Sequence, residues 1–240
     1  MNTYSLTNPG KERKDNQDSF SNYFHTHFSL FVIADGMGGH NAGEVASKLA
    51  SEEIQSYIIN HKDMEFYDLL LKRAIEHAND VIYQESLSHE EYTNMGTTIV
   101  AILVHKEKMY LAHVGDSRCY LFRAGKMEQL TEDHSLVRDL ISRGLLDPEE
   151  AVDHPDRNVI TRALGTNAAV DVDLQVVDLE EGDRLILCSD GLTNMVSIEE
   201  MSEVLLKENS ARLACELLVE LANENGGQDN ITITIYEYRS

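Results

Sequence analysis

Four aspartates share one kind of surrounding. Asp35 closes an apolar run, Asp116 sits at a hairpin corner between two apolar stretches, Asp190 closes a further apolar run and Asp229 immediately precedes the last one. Each has a glycine beside it or close by, at Gly36, Gly115, Gly191 and Gly227, and glycine lets a backbone turn sharply and approach a ligand. Any one of these acids alone reads most simply as a turn or cap residue. If the strands run antiparallel, however, one edge of the sheets can collect all four. Carboxylates crowded there repel and raise one another's pKa unless cations lie between them. Oxygen donors without a Cys or His cluster suit hard ions, Mg²⁺ or Mn²⁺. Two such ions roughly 3.5–4 Å apart can share and deprotonate a water for in-line attack on phosphorus. Arg13 offers a planar fork that matches a phosphate; taken by itself it reads as a solvated loop cation.

Other chemistries find no support. The chain has no Gly-x4-Gly-Lys-Ser/Thr, His-Glu-x-x-His or Gly-x-Ser-x-Gly pattern, and Asp147 opens no EF-hand loop because the acid spacing and central glycine are missing. None of Cys119, Cys188 and Cys215 is followed by Arg at the sixth position, which holds Gly125, Asn194 and Leu221. That argues against a cysteine-nucleophile phosphatase. Three widely spaced cysteines predict free thiols and a reducing compartment. A net charge of −22 over 240 residues argues against nucleic-acid binding through a basic surface. It also means that an anionic substrate must be met by local positive charge. No apolar run reaches the roughly 20 residues of a membrane span, and the first residues lack the basic and apolar regions of a signal peptide. A cytoplasmic, membrane-free protein is the expectation.

The elements that would position these acids follow from periodicity. Residues 30–34 form a short run rich in Val, Ile and Phe, predicting a buried strand that stops at Asp35. Helical periodicity covers about 43–59, 66–86, 198–207 and 211–223. Strands are predicted at 3–8, 19–23, 97–104, 109–114, 118–122, 170–177, 184–189 and 231–236, with residues 115–117 as a tight corner between two of them. The last strand alternates Ile and Thr. Residues 131–165 are polar and irregular, with a short helix near 135–143, as expected of a surface flap. No repeat or linker divides residues 1–240, so the expectation is a single α+β domain with antiparallel sheets covered by helices.

Read in order, seven segments resemble the motifs of the metal-dependent serine/threonine protein phosphatases of type 2C, in their compact bacterial form. They are Arg13 with Asn16-Gln17-Asp18, Asp35-Gly36-Met37-Gly38-Gly39-His40, Met95-Gly96-Thr97-Thr98, Gly115-Asp116-Ser117-Arg118, Thr161-Arg162-Ala163-Leu164-Gly165, Ser189-Asp190-Gly191-Leu192 and Gln228-Asp229-Asn230-Ile231-Thr232. Each is weak alone; together they span nearly the whole chain.

The resemblance implies a four-layer αββα sandwich of two antiparallel sheets flanked by helices, with a flap over about 131–165. It implies two or three Mn²⁺ or Mg²⁺ ions. Asp35 would bridge two of them, the Gly36 carbonyl would bind one, and Asp190 and Asp229 would complete the coordination of the second ion. Asp18 would act through metal-bound water, and Asp116 with Asp190 would hold a third, weaker ion. Arg13 would bind the substrate phosphate. The implied reaction is hydrolysis of phosphoserine and phosphothreonine by direct attack of a metal-bridging hydroxide, opposing a bacterial serine/threonine kinase, in a monomeric protein. The motif departs from many eukaryotic members at one place: Met37 stands where they carry a His after Asp-Gly. His40 and a metal-bound water are then equal candidates for the general acid, with a structural role for His40 also open. Two alternatives stand beside this reading: a catalytically silent phosphoprotein-binding module on the same fold, and a dedicated phosphatase for one stress regulator.

Overall fold

The structure, a computed structural model, describes residues 2–38, 42–151 and 154–239. Period-two patterning sets its architecture. In β3 (Ser29–Met37), Leu30, Val32 and Ala34 enter one core while Phe31 and Ile33 enter another. Neighbouring β5 (Ile99–His105) divides in the same way, Ile99, Ala101 and Leu103 against Val100, Ile102 and Val104. Strands that are apolar on both faces must be covered on both faces. One cover is a pair of helices, α1 (Ala42–Asn60) and α2 (Tyr67–Ser88); the other is a second sheet.

The first sheet adds β2 (Asp18–Phe24), β6 (Lys108–Val114) and β9 (Asp173–Asp178) in the order β2-β3-β5-β6-β9, with the two-residue β4 (Gly96–Thr97) pairing the end of β3. The second holds β1 (Thr3–Asn8), β7 (Arg118–Arg123), β8 (Lys126–Gln129), β10 (Arg184–Cys188) and β11 (Ile231–Glu237) in the order β1-β11-β10-β7-β8. The pairings within both sheets are antiparallel. Short helices lie in the loops, among them α3 (Leu136–Ser142), α4 (Pro148–Ala151) and α5 (Asp190–Thr193). Helices α6 (Ile198–Lys207) and α7 (Ala211–Glu224) cover the outer face of the second sheet, burying Met201, Leu205, Cys215 and Leu218 against Ile186, Ile231, Ile233 and Ile235. The expected four-layer αββα sandwich is therefore the observed one. The three cysteines are free and buried.

Helix ends follow local chemistry. Ser197 and Glu200 form a reciprocal capping box at α6, and the Ser210 hydroxyl accepts from the Leu213 N–H at α7.

Two expectations are corrected. Residues 115–117 do not close a hairpin, because β6 belongs to the first sheet and β7 to the second. The corner is a crossing between layers, and Gly115, at φ +107°, makes it where a Cβ would come within 2.6 Å of the Thr98 Cβ. The strand through Asp35 does not stop there. It continues through Gly36 and Met37 because Gly36 pairs with Thr97 and Met37 with Gly96. Gly36 accordingly serves close packing rather than a turn: a Cβ on it would lie 2.0 Å from the Gly43 carbonyl oxygen. Residues 131–165 hold α3 and α4, and their two ends meet at a Ser135–Ile160 bridge and at a bond from the Thr161 N–H to the His134 carbonyl (2.8 Å).

Phe31 is fully buried between the sheets, its ring 4.9 Å from that of Tyr236. Phe31→Ala is expected to lower unfolding free energy by about 3–5 kcal/mol, read by urea denaturation of the metal-free protein; a loss under about 1 kcal/mol would deny that the sheets share this core.

Candidate active site

The antiparallel register of β2 and β3 sets Asp18 directly opposite Asp35. Like charges facing each other across a ladder destabilise it, so the surroundings must compensate. Asp18 is buried. Its Oδ2 accepts from the Ser189 hydroxyl at 2.7 Å and from the Thr232 hydroxyl at 2.6 Å. Both donors come from the second sheet, Ser189 following β10 and Thr232 lying in β11. Asp18 thus ties the two sheets together at one end of the sandwich. Its Oδ1 is also buried, with no hydrogen-bond partner.

The Asp35 backbone is fixed from β4 and the residue after it. The Thr97 hydroxyl and the Thr98 N–H both donate to the Asp35 carbonyl, at 2.8 and 2.9 Å. The Asp35 N–H donates to the Thr98 hydroxyl oxygen, which also lies 2.7 Å from that of Ser117, beside Asp116. Asp190 is the first residue of α5, not the last of β10, and its Oδ2 accepts from Asn194 Nδ2 at 3.0 Å. The start of α5 presses on the chain before β11: a Cβ on Gly191 would fall 2.0 Å from the Asn230 carbonyl oxygen. Asn230 organises that neighbourhood. Its Oδ1 accepts from the Gln17 N–H, and its Nδ2 donates to the carbonyls of Pro9 and Asp15. Asp229 takes the Asn230 N–H on Oδ1 and Arg13 Nη2 on Oδ2, each at 2.8 Å.

These residues converge on a cleft of about 240 Å³ whose lining includes Arg13, Asp35, Gly36, Asp116, Asp190 and Asp229. Asp18 stands behind it, off the cleft wall. Met37 and Gly38 also line it; Gly39 and His40 fall outside the described residues. The structure therefore brings together every candidate that it describes.

The electrostatics follow from crowding and burial. Asp18 is pushed up to about 7, by burial first and by Asp190 and Asp229 in addition, against the lowering effect of its two hydroxyl partners. Asp116 is also raised to about 7, by burial and then by Asp190 and Asp133. Burial, followed by the other carboxylates, holds Asp35 well above the usual range, and Asp190 is raised by burial and by Asp229. Acids that resist ionisation together, oxygen-only donors and a buried, unpartnered Oδ1 are what a site for hard divalent cations requires. The residues present fit such ions.

Several supporting roles are not legible in the sequence, although Ser189 and Thr232 stand within its motif segments. Ser189 and Thr232 hold Asp18, Asn194 holds Asp190, and Asp133 pairs with Arg118 at 2.6 Å two residues beyond Asp116. Only the Ile-Thr alternation of β11 signalled any of them, since it puts hydroxyls on the face turned away from α7.

Residues 11–225 match the family model described as Protein phosphatase 2C. The serine/threonine phosphatase stp of Listeria welshimeri is 38% identical over 232 residues, covering 94% of this chain and 86% of its own. The solved serine/threonine phosphatase of S. agalactiae superposes with a TM-score of 0.92 at 39% identity, covering 98% of both chains. The catalytic domain of the serine/threonine protein phosphatase PstP, solved in complex with two manganese ions, superposes with a TM-score of 0.86 at 34% identity, covering 98% of this chain and 96% of its own. Sequence, fold and the acidic cleft agree, and the chain is an enzyme belonging to the protein phosphatase 2C family.

Proposed function

We propose that this protein hydrolyses phosphoserine and phosphothreonine in phosphoproteins, by direct attack of water on phosphorus without a phosphoenzyme. The observation that carries the reading is the cleft itself, where Asp35, Gly36, Asp116, Asp190 and Asp229 meet beside Arg13. Asp35 would bridge two divalent ions, with the Gly36 carbonyl, Asp190 and Asp229 completing their shells. Asp18 would act from behind through water, and Asp116 with Asp190 would hold a third, weaker ion. Such ions, when bound, acidify a water and neutralise charge on the phosphoryl oxygens. A relative solved with two manganese ions supports Mn²⁺, and the donor set accepts Mg²⁺ equally.

Arg13 is more than half exposed and reaches the cleft while paired with Asp229. Its fork is free to turn to a phosphate, and that is the role we assign it. The departing alkoxide needs a proton, for which His40 and a water in the cleft remain the two donors. We further propose that residues 1–240 act as one catalytic domain with 131–165 as its flap, in a cytoplasmic monomer opposing a serine/threonine kinase. No helix among the described residues is long and apolar enough to cross a membrane.

Hydrolysis of p-nitrophenyl phosphate and of phosphopeptides is expected to require Mn²⁺ or Mg²⁺ and to vanish with EDTA. Asp190→Ala should lower kcat/KM by more than about 100-fold, since partners one shell further out already cost 10–100-fold; activity that survives either treatment would sink the reading. Arg13→Ala should raise KM by about 10-fold or more with a smaller change in kcat, as loss of ground-state phosphate binding predicts. An unchanged KM would remove Arg13 from that role.

Without metal, the raised carboxyls make stability depend on pH. Asp18 and Asp116 keep their protons in the folded chain up to about 7, while the unfolded chain releases them near 4. Folded protein therefore binds more protons through this window, and the associated stability falls as pH rises through the folded values. The metal-free Tm should drop between pH 5 and 8, and Mn²⁺ should restore it at the upper end. A metal-free Tm that stays flat or climbs would contradict the crowding.

A further inference from the structure

Two imidazoles and a carboxylate meet next to the Asp116 corner: His113 near the end of β6, His134 in the loop after β8, and Asp173 at the start of β9. Their ligating atoms lie within 4.8 Å of one another, a spacing that suits a transition-metal ion. The hydrogen bonds of His134 oppose that assignment. Its Nδ1 accepts the Gly115 N–H at 3.0 Å, so the proton of the neutral ring sits on Nε2, which lies 3.3 Å from both Asp173 Oδ2 and Arg162 Nη1 and donates to the carboxylate. A ligating histidine turns a bare nitrogen to the ion and donates from the other, and His134 has the reverse arrangement. His113 donates from Nε2 to the Glu132 carbonyl at 2.9 Å and stacks on His134 with ring centroids 4.7 Å apart. Burial, helped by His113 and Arg162, holds His134 below the ordinary imidazole range.

The bonds of His134 run in two directions. Toward the cleft, its imidazole accepts from the Gly115 N–H and its backbone N–H donates to the Gly115 carbonyl at 3.0 Å. Both polar groups of the residue before Asp116 are thereby held by one partner. Away from it, the His134 carbonyl takes the Thr161 N–H at 2.8 Å, and Ser135 bridges to Ile160, which lines the cleft with Asn158. Arg162 Nη1 donates to Asp173 Oδ1 at 2.8 Å and closes this side of the cluster.

We infer that His134 is a positioning residue for the phosphatase reaction: its neutral imidazole fixes the Gly115–Asp116 corner and locks it to the base of the 131–165 segment that borders the cleft. This rests on the reading that Asp116 helps to hold a cation. It does not require His134 to touch metal, substrate or any reacting atom.

A pair of amide substitutions separates the two ends of the ring. In His134→Asn the side-chain oxygen can occupy the place of Nδ1 and still accept from Gly115. In His134→Gln the amide reaches the place of Nε2 and leaves the Gly115 N–H without an acceptor. Binding of Mn²⁺ is measured by calorimetry, the tautomer by ¹⁵N shifts of the His134 ring in metal-free protein, and kcat against Mn²⁺ concentration with p-nitrophenyl phosphate. His134→Gln should weaken the most weakly bound Mn²⁺ by about 10-fold, with kcat at limiting Mn²⁺ falling in step, while His134→Asn stays within about twofold of the parent. The ring should carry its proton on Nε2. Equal losses in the two variants, a proton on Nδ1, or Zn²⁺ uptake that His134→Asn or Asp173→Asn abolishes would each overturn the inference. If the parent protein itself takes up no Mn²⁺, the cation reading of the cleft fails, and the ring proton still decides the geometry assigned to His134.

Discussion

The opposition of Asp18 and Asp35 across one antiparallel ladder is the constraint that the rest of the structure answers. Two ionised carboxylates facing each other across a ladder repel, and here burial raises both acids further. A protein folded around so unfavourable a pair must supply donors to one member and leave room for positive charge at the other. Ser189 and Thr232 supply the donors, and the cleft provides the room. The same hydroxyls belong to the opposite sheet, so satisfying Asp18 also fixes how the sheets meet at the site end. Polar compensation and the geometry of the cleft are one set of contacts.

Rigidity comes from the three apolar layers behind that end. The Ile residues of β11 pack on α6 and α7, while Thr232 and Thr234 on its other face are fully buried and bond to Thr7 and Ser5 of β1. One strand thereby serves a hydrophobic layer on one side and a hydroxyl layer on the other. Asn230, at the entrance to β11, converts the position of that strand into the positions of Gln17, Asp229 and the loop carrying Arg13. Close glycine contacts at Gly36 and Gly191 set the remaining spacing. Reactive groups held this way depend on packed backbone rather than on loop conformation, as precise placement requires.

Periodicity made the layers legible. Residues 198–207 are legible as a helix because apolar positions recur at helical spacing; the capping box of Ser197 and Glu200 appears only in the structure. The acids at 35, 190 and 229 were readable because each flanks an apolar run with glycine close by. What periodicity could not say was which sheet a strand joins. Gly115-Asp116-Ser117 has the composition of a hairpin turn, and only the pairing of β6 with β9 and of β7 with β10 reveals a crossing between layers. Glycine weakens a strand pattern, so the sequence places the strand end at Asp35, yet the ladder to β4 carries it onward. Long-range partners such as Ser189 and His134 carried no local signal, since hydroxyl and imidazole residues acquire meaning only from what the fold puts opposite them.

Arg13 shows how a strongly acidic protein can still meet an anion. Its bond to Asp229 joins two well-exposed side chains, and such pairs contribute roughly 0–1 kcal/mol. That is small beside the 1.5–3 kcal/mol of a hydrogen bond to a charged group held out of water. The guanidinium lies beside an acid whose neighbours Asp35 and Asp190 resist ionisation. A cation at Asp229 would take over that neutralising role and weaken the acid's hold on Arg13. The fork would then be available to a phosphoryl group at the same cleft. The weakness of this ion pair is therefore consistent with a clamp, since a strong one would tether this arginine to a carboxylate instead of to substrate.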